Sequence, residues 1–125
     1  MKILVTGASG FVGNALLLSL LKNSSYQIIT LLRHYNTAFA SNILQVIGGD
    51  SDQFFSAAIP ENIDVIIHLA GRAHILNDQS NNPLDDFRKV NVEGTLQLAK
   101  QALEKKVKRF IFISSIGVNS DVTFD

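Results

Sequence analysis

Apolar residues along this chain fall in short unbroken runs rather than in strict alternation. Ile3–Val5, Gln27–Leu32, Ile43–Ile47, Asp64–Leu69 and Arg109–Ile113 are rich in β-branched or aromatic residues. Continuous runs of this length read as strands covered on both faces. Between them the spacing changes. Gly10–Leu21 is apolar nearly all round, which predicts a helix buried beneath the sheet, and Asp52–Ala58 suits a short helix. The best-marked helix runs from Asn82 or Pro83 to Lys106, with proline near its first turn and Asp85 and Asp86 close behind. Phe87, Val90, Gly94, Leu98 and Ala102 step along it at three- and four-residue intervals, an inward stripe. Strands alternating with helices predict an α/β fold of parallel βαβ units with right-handed crossovers. The polar stretch Arg72 to Asn82 is long enough to be a functional loop rather than a tight connection.

Composition narrows the picture without changing it. The 125 residues make one domain, 46% hydrophobic and 18% charged, with the profile of an ordinary globular protein. Eleven basic and eleven acidic residues cancel, so no electrostatic footprint for nucleic acid or an anionic membrane is expected. The one basic cluster, Lys105, Lys106, Lys108 and Arg109, is expected in the last turn of a helix, where cations complement the dipole. Cysteine is absent, which excludes disulfides and thiolate metal sites. His74 stands in a polar loop without a partner at metal-ligand spacing, so no metal is expected. No apolar run approaches the roughly 18 residues of a membrane span, and the start is too short in apolar residues for a signal peptide. The cytoplasm is the expected location.

Chemistry concentrates where the predicted strands end, which in an open parallel sheet is where ligands sit. After the first strand comes Thr6-Gly7-Ala8-Ser9-Gly10-Phe11-Val12-Gly13, leading into a helix. Gly7 lets the chain turn sharply, since a residue without Cβ reaches φ > 0 cheaply. Gly10 lets the backbone approach a pyrophosphate, and Gly13 lets the helix pack closely on the sheet. The unpaired N–H groups at the helix start favour an anion. The GxxGxxG spacing is one residue longer in its first gap than the GxGxxG dinucleotide fingerprint.

Other strand ends are also small or polar. Arg33, twenty residues after Gly13, stands where an acid would take the ribose hydroxyls of NAD. Arginine there suits the 2′-phosphate of NADP and tilts the choice toward it. Asp50 closes Gly48-Gly49-Asp50, either as an acceptor for the adenine amino group or as a turn residue. His68 is expected to be a packed, hydrogen-bonded histidine rather than a catalytic base. Ala70 and Gly71 would let a cofactor run against the backbone. Ser114 and Ser115 end the fifth strand, as turn formers or as donors to a substrate hydroxyl. The nucleophile elbow G-x-S-x-G of Ser-His-Asp hydrolases is absent.

Taken together, TGASGFVG (Thr6–Gly13), GGD (Gly48–Asp50), DVIIHLAG (Asp64–Gly71), NVEGT (Asn91–Thr95) and KRFIFISS (Lys108–Ser115) give a chain that resembles the extended short-chain dehydrogenases/reductases. The resemblance is to their NAD(P)-dependent epimerases and dehydratases of nucleotide sugars, over the whole chain. HLAGRAHILND and NPLDDFRKVN look like bacterial enzymes that modify UDP-sugars for O-antigen and capsule. The resemblance implies a Rossmann-type three-layer fold with parallel strand order 3-2-1-4-5. It implies that Gly7, Gly10, Phe11 and Val12 cradle the pyrophosphate of NAD or NADP, with Ser9 also at a cofactor-binding position. Arg33 and Asp50 would flank the adenosine, and Leu69, Ala70 and Gly71 would line the ribose. Asn91 would organise the groove, Ser115 falls on the catalytic Ser/Thr position, and Ser114 stands beside it.

In that family hydride leaves the sugar C4 for the nicotinamide while a tyrosine of a YxxxK pair takes the hydroxyl proton. The pair would follow about 25 residues after Ser115 by this resemblance, and such proton transfer contributes about 10²–10⁴-fold. The chain ends at Asp125, and neither Tyr26 nor Tyr35 has a lysine four residues on. The expectation is therefore the N-terminal part of such an enzyme, with later strands missing and no turnover alone. The alternative is a non-catalytic dinucleotide-binding or interaction module of the same fold. An uncovered fifth strand predicts a homo-oligomer.

Overall fold

A computed structural model describes residues 1–48, 58–69 and 83–113, with side chains described throughout except at 83–91. In chain order these hold β1 (Lys2–Thr6), α1 (Phe11–Leu20), β2 (Gln27–Leu32), β3 (Leu44–Ile47), β4 (Val65–His68), α2 (Pro83–Glu104) and β5 (Arg109–Phe112). The strands form one parallel sheet in the order β3-β2-β1-β4-β5, as expected. β1 is central: Ile3 pairs with Ile28 on one side and Val65 on the other, and Thr6 with Leu31 and His68. The chain steps outward from β1 through β2 to β3, then returns to lay β4 against β1's other edge. That reversal opens a crevice at the carboxyl ends of β1 and β4.

Because successive strand residues point to opposite faces, the unbroken apolar runs fill two cores. Leu4, Ile29, Leu31 and Ile66 pack with Leu98 and Ala102 of α2 on one face. Ile3, Val5, Ile28 and Ile67 pack with Leu17 of α1 on the other. The helices therefore cover opposite faces, giving three layers. Gly94, Leu98 and Ala102 of the expected α2 stripe are buried. The side chains of Phe87 and Val90 lie outside the described residues, as do residues 52–57 and 72–82 of the expected short helix and loop.

Three expectations are corrected. α1 is not buried all round: Gly13 and Leu17 are its buried residues, while Phe11, Val12 and Leu18 are exposed. A single layer of sheet can cover only one side of a helix, whatever its composition. Nor are all strands covered on both faces, because Leu44 and Ile47 of β3 and Ile111 and Phe112 of β5 are exposed on the flanking strands. The basic cluster, finally, lies beyond α2, whose last turn holds no base.

α2 stops at Glu104 in a Schellman arrangement. The Val107 N–H donates to the Ala102 carbonyl at 2.9 Å, the Lys106 N–H to that of Leu103 at 3.2 Å, and Lys106 takes φ 57°. Val107 then packs on the core that contains Ala102. The lysines past this stop tie down the amino ends of the strands. Lys105 donates to the Ile59 carbonyl and pairs with Glu61 at 3.3 Å. Lys108 pairs with Asp64 at 3.3 Å. The Asp64 carboxylate also accepts the Lys2 backbone N–H at 2.8 Å, and this bond chiefly holds its pKa below the usual 3.8.

Thr30 is fully buried in β2, in register between Val5 and Gln45, and its hydroxyl has no hydrogen-bond partner among the described residues. A buried hydroxyl without a partner costs about 1–3 kcal/mol in proteins. Thr30→Val keeps the branched shape and removes the polar atom, so it should raise unfolding stability by about 1 kcal/mol. A higher urea midpoint at unchanged slope checks this; a lower midpoint counts against it.

Candidate functional site

β1 ends at Thr6, and the chain turns at once on Gly7, whose φ of 73° lies in the left-handed region. The Gly10 N–H donates to the Gly7 carbonyl at 3.1 Å and closes the turn. Gly10 is the N-cap of α1, with extended backbone at φ −78° and ψ 174°. The Asn14 N–H returns to the Gly10 carbonyl at 2.9 Å.

Gly13 and Gly10 are glycines for different reasons. A Cβ at Gly13 would stand 2.0 Å from the Gly7 carbonyl oxygen and 2.8 Å from the Ala8 Cα, so the protein's own packing excludes any side chain there. A Cβ at Gly10 would meet nothing nearer than the Gly7 oxygen at 3.4 Å, and its φ is ordinary. The fold itself has room for a side chain at Gly10; what glycine leaves there is bare backbone beside the helix start.

That start is electrostatically open. α1 has no acid in its first turn and no side chain capping its N–H groups. The donors and the positive dipole end are therefore uncompensated by the helix's own side chains. Ser9, Phe11 and Val12 around them are exposed, Phe11 at 93%. A glycine turn leading into a helix start that has no side-chain cap among the described residues fits a phosphate group.

Beside the turn lies a buried polar group that the linear sequence gave little reason to connect. His68 ends β4 in register with Thr6 and is fully buried. Its Nδ1 is 2.6 Å from the Thr6 hydroxyl and its Nε2 3.0 Å from that of Thr95 on α2. The Leu69 N–H donates to the Thr6 hydroxyl at 3.1 Å. The ring also stands 5.4 Å from Phe112 and 6.1 Å from Phe110, centroid to centroid. Burial lowers its pKa from 6.5 to about 4, so the imidazole is neutral at pH 7. Neutral imidazole has one donor and one acceptor nitrogen, and the two threonine hydroxyls serve both. His68 is thus a packed, hydrogen-bonded histidine. The missed signal was that Thr6 and His68 both end strands that the predicted order makes neighbours.

The remaining expected residues divide by position. Leu69 follows β4, half-buried against the α1-side core, next to the turn because β1 and β4 are adjacent. Arg33 is exposed just past the carboxyl end of β2, on β1's other side. Gly7, Ser9, Gly10, Phe11, Val12, Arg33 and Leu69 therefore share the carboxyl end of the sheet. Asn91 lies within α2, four residues before Thr95, with its side chain outside the described residues. Asp50, Ala70, Gly71, Ser114 and Ser115 lie outside the described residues.

A three-layer parallel sheet that reverses beside a glycine turn entering a helix defines a Rossmann-type nucleotide-binding domain. The model of the NAD dependent epimerase/dehydratase family matches residues 3–124, and the chain belongs to that family. It is 43% identical over 122 residues to UDP-glucose 4-epimerase of Vibrio cholerae, covering 97% of this chain and 37% of that protein. It is 32% identical over 139 aligned residues to human dTDP-D-glucose 4,6-dehydratase, covering 99% of this chain and 39% of that protein. The chain thus spans under two-fifths of the length of these relatives. Among solved structures, UDP-glucuronic acid 4-epimerase from Bacillus cereus in complex with NAD superposes with a TM-score of 0.68 at 26% identity. The match covers 98% of this chain and 43% of that one. No helix among the described residues is long and apolar enough to cross a membrane.

The His68 shift has a consequence for stability with a definite sign. The unfolded chain takes up a proton near pH 6.5, whereas the folded chain resists it to about pH 4. Stability should therefore fall as pH drops through that window, by up to about 1.4 kcal/mol per pH unit and about 3 kcal/mol in all. Asp64 acts lower: its stabilisation is present above 3.8 and is lost as pH falls through its depressed folded value. Urea midpoints measured from pH 7 to pH 4.5 should show the slope in the unaltered chain and a shallower one in His68→Gln. Identical slopes would contradict the assignment.

Proposed function

We propose that this chain is the NAD(P)-binding portion of a nucleotide-sugar epimerase or dehydratase that works by reversible hydride transfer at the sugar C4. The observation that carries the reading is the glycine turn, closed at Gly7, kept bare at Gly10 and set against an uncapped helix start. The V. cholerae and human relatives, a nucleotide-sugar epimerase and dehydratase, support the substrate class.

In this reading Gly7, Ser9, Gly10, Phe11 and Val12 hold the pyrophosphate through backbone donors and shield it with exposed apolar side chains. Leu69, Ala70 and Gly71 line the ribose, Asp50 and Arg33 flank the adenosine, and Asn91 and Ser114 border the groove. Ser115 hydrogen-bonds the sugar hydroxyl that loses its proton. The bound dinucleotide supplies the hydride acceptor and donor; the chain's own residues orient it.

Titration calorimetry with NAD(H) and NADP(H) tests the binding. The unaltered chain should bind one of them at millimolar concentration or below. Gly10→Val should fold with a capping loss of about 1 kcal/mol, yet lose binding at least roughly tenfold, because its side chain occupies the approach to the backbone. Unchanged affinity in Gly10→Val would mean the turn does not hold the phosphates.

Arg33 supports the finer choice of NADP. Hydrogen bonds to charged groups are worth about 1.5–3 kcal/mol, so NADP should bind roughly tenfold or more tightly than NAD, and Arg33→Ala should erase the difference. Equal affinities in the unaltered chain would refute the NADP assignment and leave Arg33 outside the site.

A further inference from the structure

We propose that His68, together with Thr95, is a positioning element of the dinucleotide groove rather than a filler of the core, an inference that rests on the dinucleotide reading above. The geometry is a three-part clamp. Thr6 is the residue immediately before the Gly7 turn, Leu69 immediately follows β4, and Thr95 belongs to the helix on the far side of the sheet from α1. The Thr6 hydroxyl meets both the Leu69 N–H at 3.1 Å and His68 Nδ1 at 2.6 Å, while His68 Nε2 reaches the Thr95 hydroxyl at 3.0 Å.

The ring is fully buried, so a partner lost from either of its nitrogens is not readily replaced by water, although Thr95 and Leu69 are themselves only part-buried. Directional bonds add to apolar packing a constraint on angle as well as distance, because a hydrogen bond weakens steeply when its geometry is bent. The clamp therefore holds three separate parts of the chain at one spacing: the start of the phosphate turn, the backbone leaving β4, and α2 one turn beyond Asn91. Those parts must all meet one rigid ligand. A cradle loosened by a fraction of an ångström loses binding even when the fold survives.

Thr95 gives the cleanest test, because its hydroxyl touches His68 at the end away from the turn. Thr95→Val removes the hydroxyl at constant shape and Thr95→Ser restores it. NADH and NADPH affinities, measured well below each variant's unfolding temperature, should be roughly tenfold weaker in Thr95→Val and within about twofold of the unaltered chain in Thr95→Ser. If Thr95→Val does not fold, Thr95→Ala gives the same comparison with Thr95→Ser. Loss of stability with unchanged affinity in the folded variant would overturn the positioning role and leave a structural one. If the unaltered chain binds neither dinucleotide, the reading of the site itself fails. If it binds and every folded Thr95 variant binds equally, only the clamp fails.

Discussion

The site depends on one tight constraint, the seating of α1 against the turn that launches it. With 2.0 Å between the Gly7 carbonyl oxygen and the place where a Cβ on Gly13 would stand, helix and turn touch backbone to backbone. Gly7 must take φ 73° to bring its carbonyl there, and the same carbonyl accepts the Gly10 N–H at 3.1 Å. One peptide group thus closes the turn and sets the depth of the helix. The helix start is then held at the carboxyl end of the central strand, in the crevice where the sheet reverses. The site is a consequence of that packing: its donors are backbone groups, and they stand where the backbone is forced to go.

The two ends of the sheet are built from different materials. At the amino ends, Asp64, Glu61, Lys2, Lys105 and Lys108 form a lattice of ion pairs and charged hydrogen bonds around loops that need anchoring. Exposed pairs of this kind are each worth little, but the backbone bonds they flank fix where β4 and β5 begin. Among the described residues the carboxyl end of β1 differs. Its helix start lacks an acid and a side-chain cap, and Phe11 and Val12 stand out into solvent.

Much of this was legible in the chain because parallel sheets impose a simple code. Unbroken apolar runs gave each strand to within about two residues, and the strand order matched. The glycine turn was legible for the same reason, since Gly7 and Gly13 answer local demands that a sequence states directly. What failed depended on which neighbour covers a given side. The all-apolar α1 reads as buried, yet Phe11 and Leu18 face away from the sheet. Lys105 and Lys106 read as a helix end, yet the left-handed Lys106 stops the helix before them. The His68 clamp was harder to read, because its partners lie 62 and 27 residues away and only the strand order, not any local pattern, brings Thr6 and His68 together.

Two buried threonines show what distinguishes a polar group placed for a purpose from one merely tolerated. Thr6 and Thr30 are both fully buried on central strands of the same sheet. Thr30, on the α1 side between Val5 and Gln45, has its hydroxyl unpartnered among the described residues, and its branched shape is what the strand uses. Thr6, on the α2 side, meets both a backbone amide and an imidazole, and that imidazole reaches a third element. A buried polar group is favourable only when its bonds are complete, so His68 requires both threonines where a leucine would require neither. The network lies at the carboxyl ends of β1 and β4, beside the turn, where relative position matters more than burial. An apolar core at that point would hold the layers together equally well, but it would leave the spacing of the turn, the β4 end and α2 to packing alone.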